Sequence, residues 1–89
     1  MTQTIVEINN EEGLHARPAM LLSKEASKFV SSIYIDYNGE KANAKSFLGL
    51  MALGVYKGAK VSIIAEGEDE KRATLNLSEF IKDGFNEQN

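Results

Sequence analysis

Apolar residues recur along the chain with two periods, and the changes between them divide it into seven elements. Thr4 to Ile8 is a short β-rich run that ends in the turn-prone cluster Asn9-Asn10-Glu11-Glu12-Gly13, a strand and a loop. From Ala16 the period becomes helical. Ala19, Leu22, Ala26, Phe29 and Val30 share one face while Ser23, Lys24, Ser27 and Lys28 take the other, which predicts a helix of about four turns. Pro18 sits in its first turn, where the missing N–H costs nothing. Ile33-Tyr34-Ile35-Asp36-Tyr37 alternates, and Asn38-Gly39 before Glu40 to Ala44 predicts a hairpin with a type I′ turn. Ser46, the apolar run Phe47 to Leu53 and Gly54 read as an N-cap, a short helix and a glycine stop, with Leu50 and Leu53 in the core. Lys60 to Ala65 is a fourth strand. A last helix carries Ala73, Leu77, Phe80 and Ile81 inward, starting near Asp69 or Glu70 and stopping at Gly84.

The order β-α-β-β-α-β-α, without repeats, predicts an open-faced β-sandwich of the α+β class. A mostly antiparallel four-stranded sheet is covered on one face by helices and leaves Glu7, Tyr34, Asp36 and Ser62 toward water.

At 89 residues and 43% hydrophobic composition, the chain is expected to form one domain over 1–89. With no cysteine and one histidine, no metal site is expected. No apolar run approaches the roughly 20 residues that span a bilayer, and the first residues lack a signal-peptide pattern, so a cytoplasmic location and no membrane insertion are expected. A net charge of −3 argues against direct binding of nucleic acid. The acidic run Glu66-Gly67-Glu68-Asp69-Glu70 reads as solvated loop and helix start.

The single histidine lies in Gly13-Leu14-His15-Ala16-Arg17-Pro18-Ala19, at the predicted start of the first helix. Imidazole is the side chain that offers a nitrogen nucleophile near neutral pH. The backbone N–H groups of Ala16 and Arg17 and the positive end of the helix converge there, which makes an anion site able to stabilise a phosphate attached to the ring. Arg17 adds a fixed cation with fork geometry for phosphate oxygens. An arbitrary histidine in this position would more often be a simple cap.

This heptapeptide resembles the phosphorylation site of the histidine-containing phosphocarrier protein HPr of the phosphoenolpyruvate-dependent sugar phosphotransferase system. The resemblance continues through Lys45-Ser46, Gly49, Leu53-Gly54, Lys57-Gly58 and Gly67-Glu68-Asp69. It implies a phosphocarrier rather than an enzyme, monomeric and without a cofactor. His15 would be phosphorylated on Nδ1, the pros nitrogen, by enzyme I and then discharged by the A domains of sugar-specific permeases, with Arg17 assisting. It also implies three helices on one face of the sheet and the strand order 1-4-2-3.

Ser46 has an ordinary explanation as a cap. Its setting, Lys45 to Gly54, nevertheless resembles the segment that an HPr kinase/phosphorylase modifies in Gram-positive bacteria, where the phosphoserine form binds a catabolite-control transcription regulator. Phe47 departs from the aliphatic residue expected there. Met20, Phe47, Leu48 and Met51, rimmed by Lys24 and Lys45, are expected to form a docking surface for acidic partner faces. Two alternatives stay open: a regulatory module acting mainly through Ser46, and a carrier in a nitrogen-related branch of the phosphotransfer network.

Overall fold

The computed structural model describes residues 1–85. The last four positions of the domain expected over 1–89 lie outside the described residues. The elements are β1 (Thr2–Glu7), α1 (Ala16–Ala26), β2 (Ser32–Tyr37), β3 (Glu40–Asn43), α2 (Phe47–Ala52), β4 (Lys60–Glu66) and α3 (Glu70–Lys82). All strand pairs are antiparallel, in the order β1-β4-β2-β3. The fold is the expected open-faced sandwich.

Strand alternation decides which face the helices cover. Val6, Ile33, Ile35, Val61, Ile63 and Ala65 point into a core completed by Leu22, Leu50, Leu77 and Ile81 from the three helices. The opposite face is left to water, and it carries Ile5, 65% exposed, beside the expected polar positions. Asn38 and Gly39 both adopt positive φ, 54° and 86°, as a type I′ turn requires, so the hairpin follows from two residues of local chemistry.

Helix α1 is shorter than its periodicity suggests, three turns rather than four. Beyond Ala26 the Lys28 and Phe29 N–H groups donate to carbonyls three residues back, and the Ser27 hydroxyl donates to the Ser23 carbonyl. The chain tightens and turns. Phe29 still reaches the core, but Val30 faces solvent.

The turn is fixed by a carboxylate far along the sequence. Asp69 accepts hydrogen bonds from the Val30 and Ser31 N–H groups, both at 3.0 Å, and from the Ser31 hydroxyl. Asp69 is therefore the N-cap residue of α3 by its backbone, its carbonyl accepting the Ala73 N–H at 2.9 Å, while its side chain makes no capping bond. Glu70 accepts from the Thr2 hydroxyl at 2.6 Å and from the Gly67 N–H at 3.1 Å, and pairs with the Met1 ammonium at 2.9 Å. The acidic run expected to be solvated thus holds two structural clamps.

The hydroxyl and N–H donors around Glu70 pull its carboxyl from 4.5 down to about 2. The Ser31 hydroxyl and neighbouring N–H groups lower Asp69 too. A depressed carboxyl contributes stability that is complete above its unfolded pKa and lost as pH falls through its folded one. Glu70→Gln is accordingly expected to lower the melting temperature at pH 7. The difference from the parent should shrink below pH 4.5 and vanish below about 2, as thermal unfolding monitored by circular dichroism across that range would register.

Candidate functional site

His15 is the N-cap residue of α1, with extended backbone (φ −76°, ψ −168°). Its carbonyl accepts the Ala19 N–H at 2.9 Å, the first bond of the helix. Its imidazole makes no capping bond and stands exposed. The backbone thus does the work of a helix start while the ring is left for chemistry. Because Pro18 carries no N–H, the first-turn amides beyond His15 are those of Ala16 and Arg17, both on exposed residues. His15, Ala16 and Arg17 thus lie together at the start of α1.

The loop before His15 is built against the segment that follows α2. Leu14 is buried and its N–H donates to the Val55 carbonyl at 3.0 Å. Gly13 has φ +62°, and a Cβ there would lie 2.4 Å from the Val55 oxygen and 2.7 Å from the Tyr56 Cα. The Asn10 side-chain amide donates to the Gly13 carbonyl at 2.9 Å, and Lys57 pairs with Glu11 at 2.7 Å, lowering the Glu11 carboxyl. His15 shares a groove with Leu14, Met51, Gly54, Val55 and Tyr56.

Ser46 caps α2 as expected, its Oγ accepting the Gly49 N–H at 3.1 Å. It faces a separate groove toward Lys41, Ala42 and Asn43. Met51, near the other end of α2, borders the His15 groove instead. Ser46→Ala is expected to cost about 1 kcal/mol, a fall of roughly 4–8 °C in melting temperature, because α2 is too short to persist without its cap. Differential scanning calorimetry would measure it.

The docking residues divide. Leu48, Met20 and Met51 are 73%, 44% and 39% exposed, and Lys24 is exposed as well. Phe47 is half-buried with its ring against the core, so it gives the surface only part of its area. Lys45 does not rim the surface freely. Its ammonium donates to the Phe29 carbonyl at 2.7 Å, beyond the far end of α1. Sequence reasoning missed Tyr56, 65% exposed beside His15; the available signal was an aromatic residue two positions after the glycine stop of an apolar helix. Among the described residues, no group of three or more His, Asp or Glu is placed to hold a metal, and no helix is long and apolar enough to cross a membrane.

An exposed ring nitrogen without an enclosed substrate cavity suits a protein that carries a group between other proteins. The family model for the PTS HPr component phosphorylation site matches residues 2–83, and the class is that of phosphocarrier proteins, not enzymes. The chain belongs to the HPr family. It is 43% identical over 83 residues to the HPr-like protein Crh of Bacillus subtilis, covering 93% of this chain and 98% of Crh. The solved HPr-C-His of Thermoanaerobacter tengcongensis is 45% identical, with a TM-score of 0.93 and complete coverage of both chains. A Crh structure from B. subtilis, 43% identical with a TM-score of 0.76 over 93% of this chain and 95% of that one, is a swapped dimer. The expectation of a monomer therefore does not describe every relative.

Proposed function

We propose that this protein accepts a phosphoryl group on Nδ1 of His15 from phosphorylated enzyme I and passes it to the A domains of sugar-specific permeases in the cytoplasm. The observation that carries the proposal is the exposed imidazole at the start of α1, free of any capping bond. On acceptance the bond from phosphorus to the donor atom breaks as the Nδ1–P bond forms; on discharge the Nδ1–P bond breaks as phosphorus bonds to the acceptor atom. The electron pair of the broken bond stays on the donor, and Nε2 keeps its proton. The Ala16 and Arg17 N–H groups and the Arg17 guanidinium stabilise the phosphoryl oxygens. An open site suits reversibility, since a carrier that enclosed the group could not release it to an acceptor.

Incubation with phosphoenolpyruvate, magnesium and enzyme I, followed by intact mass spectrometry, tests this. One acid-labile phosphate is expected; no gain of mass overturns the proposal. Met20, Leu48 and Met51, with part of Phe47 and the cation Lys24, serve as the docking face. Met51→Glu is expected to slow transfer from enzyme I and to a permease domain at least about tenfold by placing a carboxylate in a desolvated interface. Stopped transfer assays with each partner would measure it, and equal rates would remove Met51 from that face.

A second role rests on Ser46 and on similarity to relatives named for catabolite repression. Phosphorylation by an HPr kinase/phosphorylase would place about −1.5 to −2 charge at the N-terminus of α2, which the helix end accepts without refolding. The change falls on partners: it would hinder enzyme I and favour a catabolite-control transcription regulator. An acid-stable phosphate gained with ATP and the kinase, and lost in Ser46→Ala, is the expected result.

A further inference from the structure

A sheet in the order β1-β4-β2-β3 has two edges, and they are built differently. β3 is four residues long and carries Glu40 and Lys41, charges that discourage another strand from adding to it. β1 runs for six residues, Thr2 to Glu7, with no proline, no lysine and no bulge in its pairing to β4. Such an edge is open to a further strand. Ile8 turns its N–H to the Ala59 carbonyl and its own carbonyl to the Gly58 N–H. The same orientation recurs at Val6 and Thr4, so the intervening Gln3, Ile5 and Glu7 direct their N–H and C=O groups outward. Among the described residues, no bond outside the sheet ladder uses those groups. The side chains of the same three residues stand exposed on the open face of the sheet.

We propose that β1 is an interaction edge for a second copy of this chain, the two β1 strands pairing antiparallel about Ile5 to continue one sheet across both copies. The occupant follows from self-complementarity. A two-fold axis at Ile5 sets that residue against Ile5 of the partner copy, and each Gln3 against Glu7 of the partner copy, whose carboxylate accepts from the Gln3 side-chain amide. All of these pairs are of the closely spaced kind that exchange both backbone bonds. Under the seam, Leu75 of α3 is 61% exposed beside Thr4, and the two-fold brings it toward its counterpart, adding apolar area. None of the residues lining the His15 groove lies on β1 or α3, so the seam takes nothing from that site and the proposal is independent of the carrier reading. A seam one strand long is small, which makes the pairing reversible rather than permanent.

Sedimentation equilibrium of the full chain from about 10 μM to about 1 mM tests this, and the average mass is expected to rise from one chain toward two. Gln3→Glu sets like charges opposite each other at both ends of the seam and should weaken association about fivefold. Gln3→Lys sets opposite charges there and should strengthen it about threefold, and added salt should shrink both differences. Ile5→Lys places two ammonium groups face to face at the centre and should leave only monomer. Melting temperatures report the folding of each variant, and the Gln3 pair keeps the test decisive should Ile5→Lys fold poorly. A parent that stays monomeric at about 1 mM overturns the proposal. So does a dimer whose strength does not move in opposite directions with the two Gln3 charges, including one that forms and separates only over hours, as exchange of β1 between copies would give.

Discussion

His15→Ala is expected to abolish phosphoryl acceptance from enzyme I, by more than about a thousandfold, while leaving the fold unchanged. Both halves of this outcome follow from how His15 is used. The ring provides the sole imidazole nitrogen of the chain, so nothing else can take its place. Yet the structural duty of the residue lies in its backbone, whose carbonyl closes the first turn of α1 on Ala19, and an alanine preserves that bond. The ring makes no capping bond, so the stability usually lost with a cap is not at stake. Matching circular dichroism and melting curves, with no phosphate detected by mass spectrometry, is the expected result. Residual acid-labile phosphate in the variant would show a second acceptor and contradict the assignment.

Gly13→Ala is expected to have the largest effect on stability, about 3 kcal/mol, or roughly 10–20 °C in melting temperature. Two costs coincide. A left-handed backbone of +62° disfavours any side chain, and a Cβ there would press into the Val55 carbonyl oxygen at 2.4 Å and the Tyr56 Cα at 2.7 Å, backbone atoms that cannot swing aside. Gly84→Ala separates the two costs, because Gly84 has φ +70° with nothing within 4 Å of an added Cβ, and should lose only about 1 kcal/mol. Gly13 lies two residues before His15. Where the alanine variant remains folded, displacement of the loop should also slow phosphoryl acceptance, by up to about a hundredfold for a shift near 1 Å. Calorimetry and single-turnover transfer on the same samples would measure both; equal losses in the two glycine variants would refute the steric argument.

What could be read from the sequence was what neighbours in the chain decide. The Asn38-Gly39 turn, the Ser46 cap and the histidine at the start of α1 each depend on a few adjacent residues, and each stands where it was expected. The end of α1 was misjudged because its cause lies elsewhere: Phe29 and Val30 continue the helical spacing, but the backbone at Val30 and Ser31 is claimed by Asp69, 39 and 38 residues away. Lys45 resembled a surface cation until its acceptor, the Phe29 carbonyl 16 residues back, was in view. Tyr56 had no periodic pattern around it to mark its place, and only the packing of its loop on Gly13 brings it beside His15. Strand order likewise came from family resemblance, since alternation says which face a strand buries and not which strand it pairs with.

The ammonium of Lys45 on the Phe29 carbonyl has an electrical consequence for the other end of the same helix. Its positive charge, seated just past α1 with Lys24 in the last turn, offsets the partial negative charge that gathers where a helix ends. The opposing pole at His15 has an exposed first turn and no acidic side chain within it. An approaching phosphate therefore meets the positive end of α1 at solvent, an attraction that added salt would weaken first at long range.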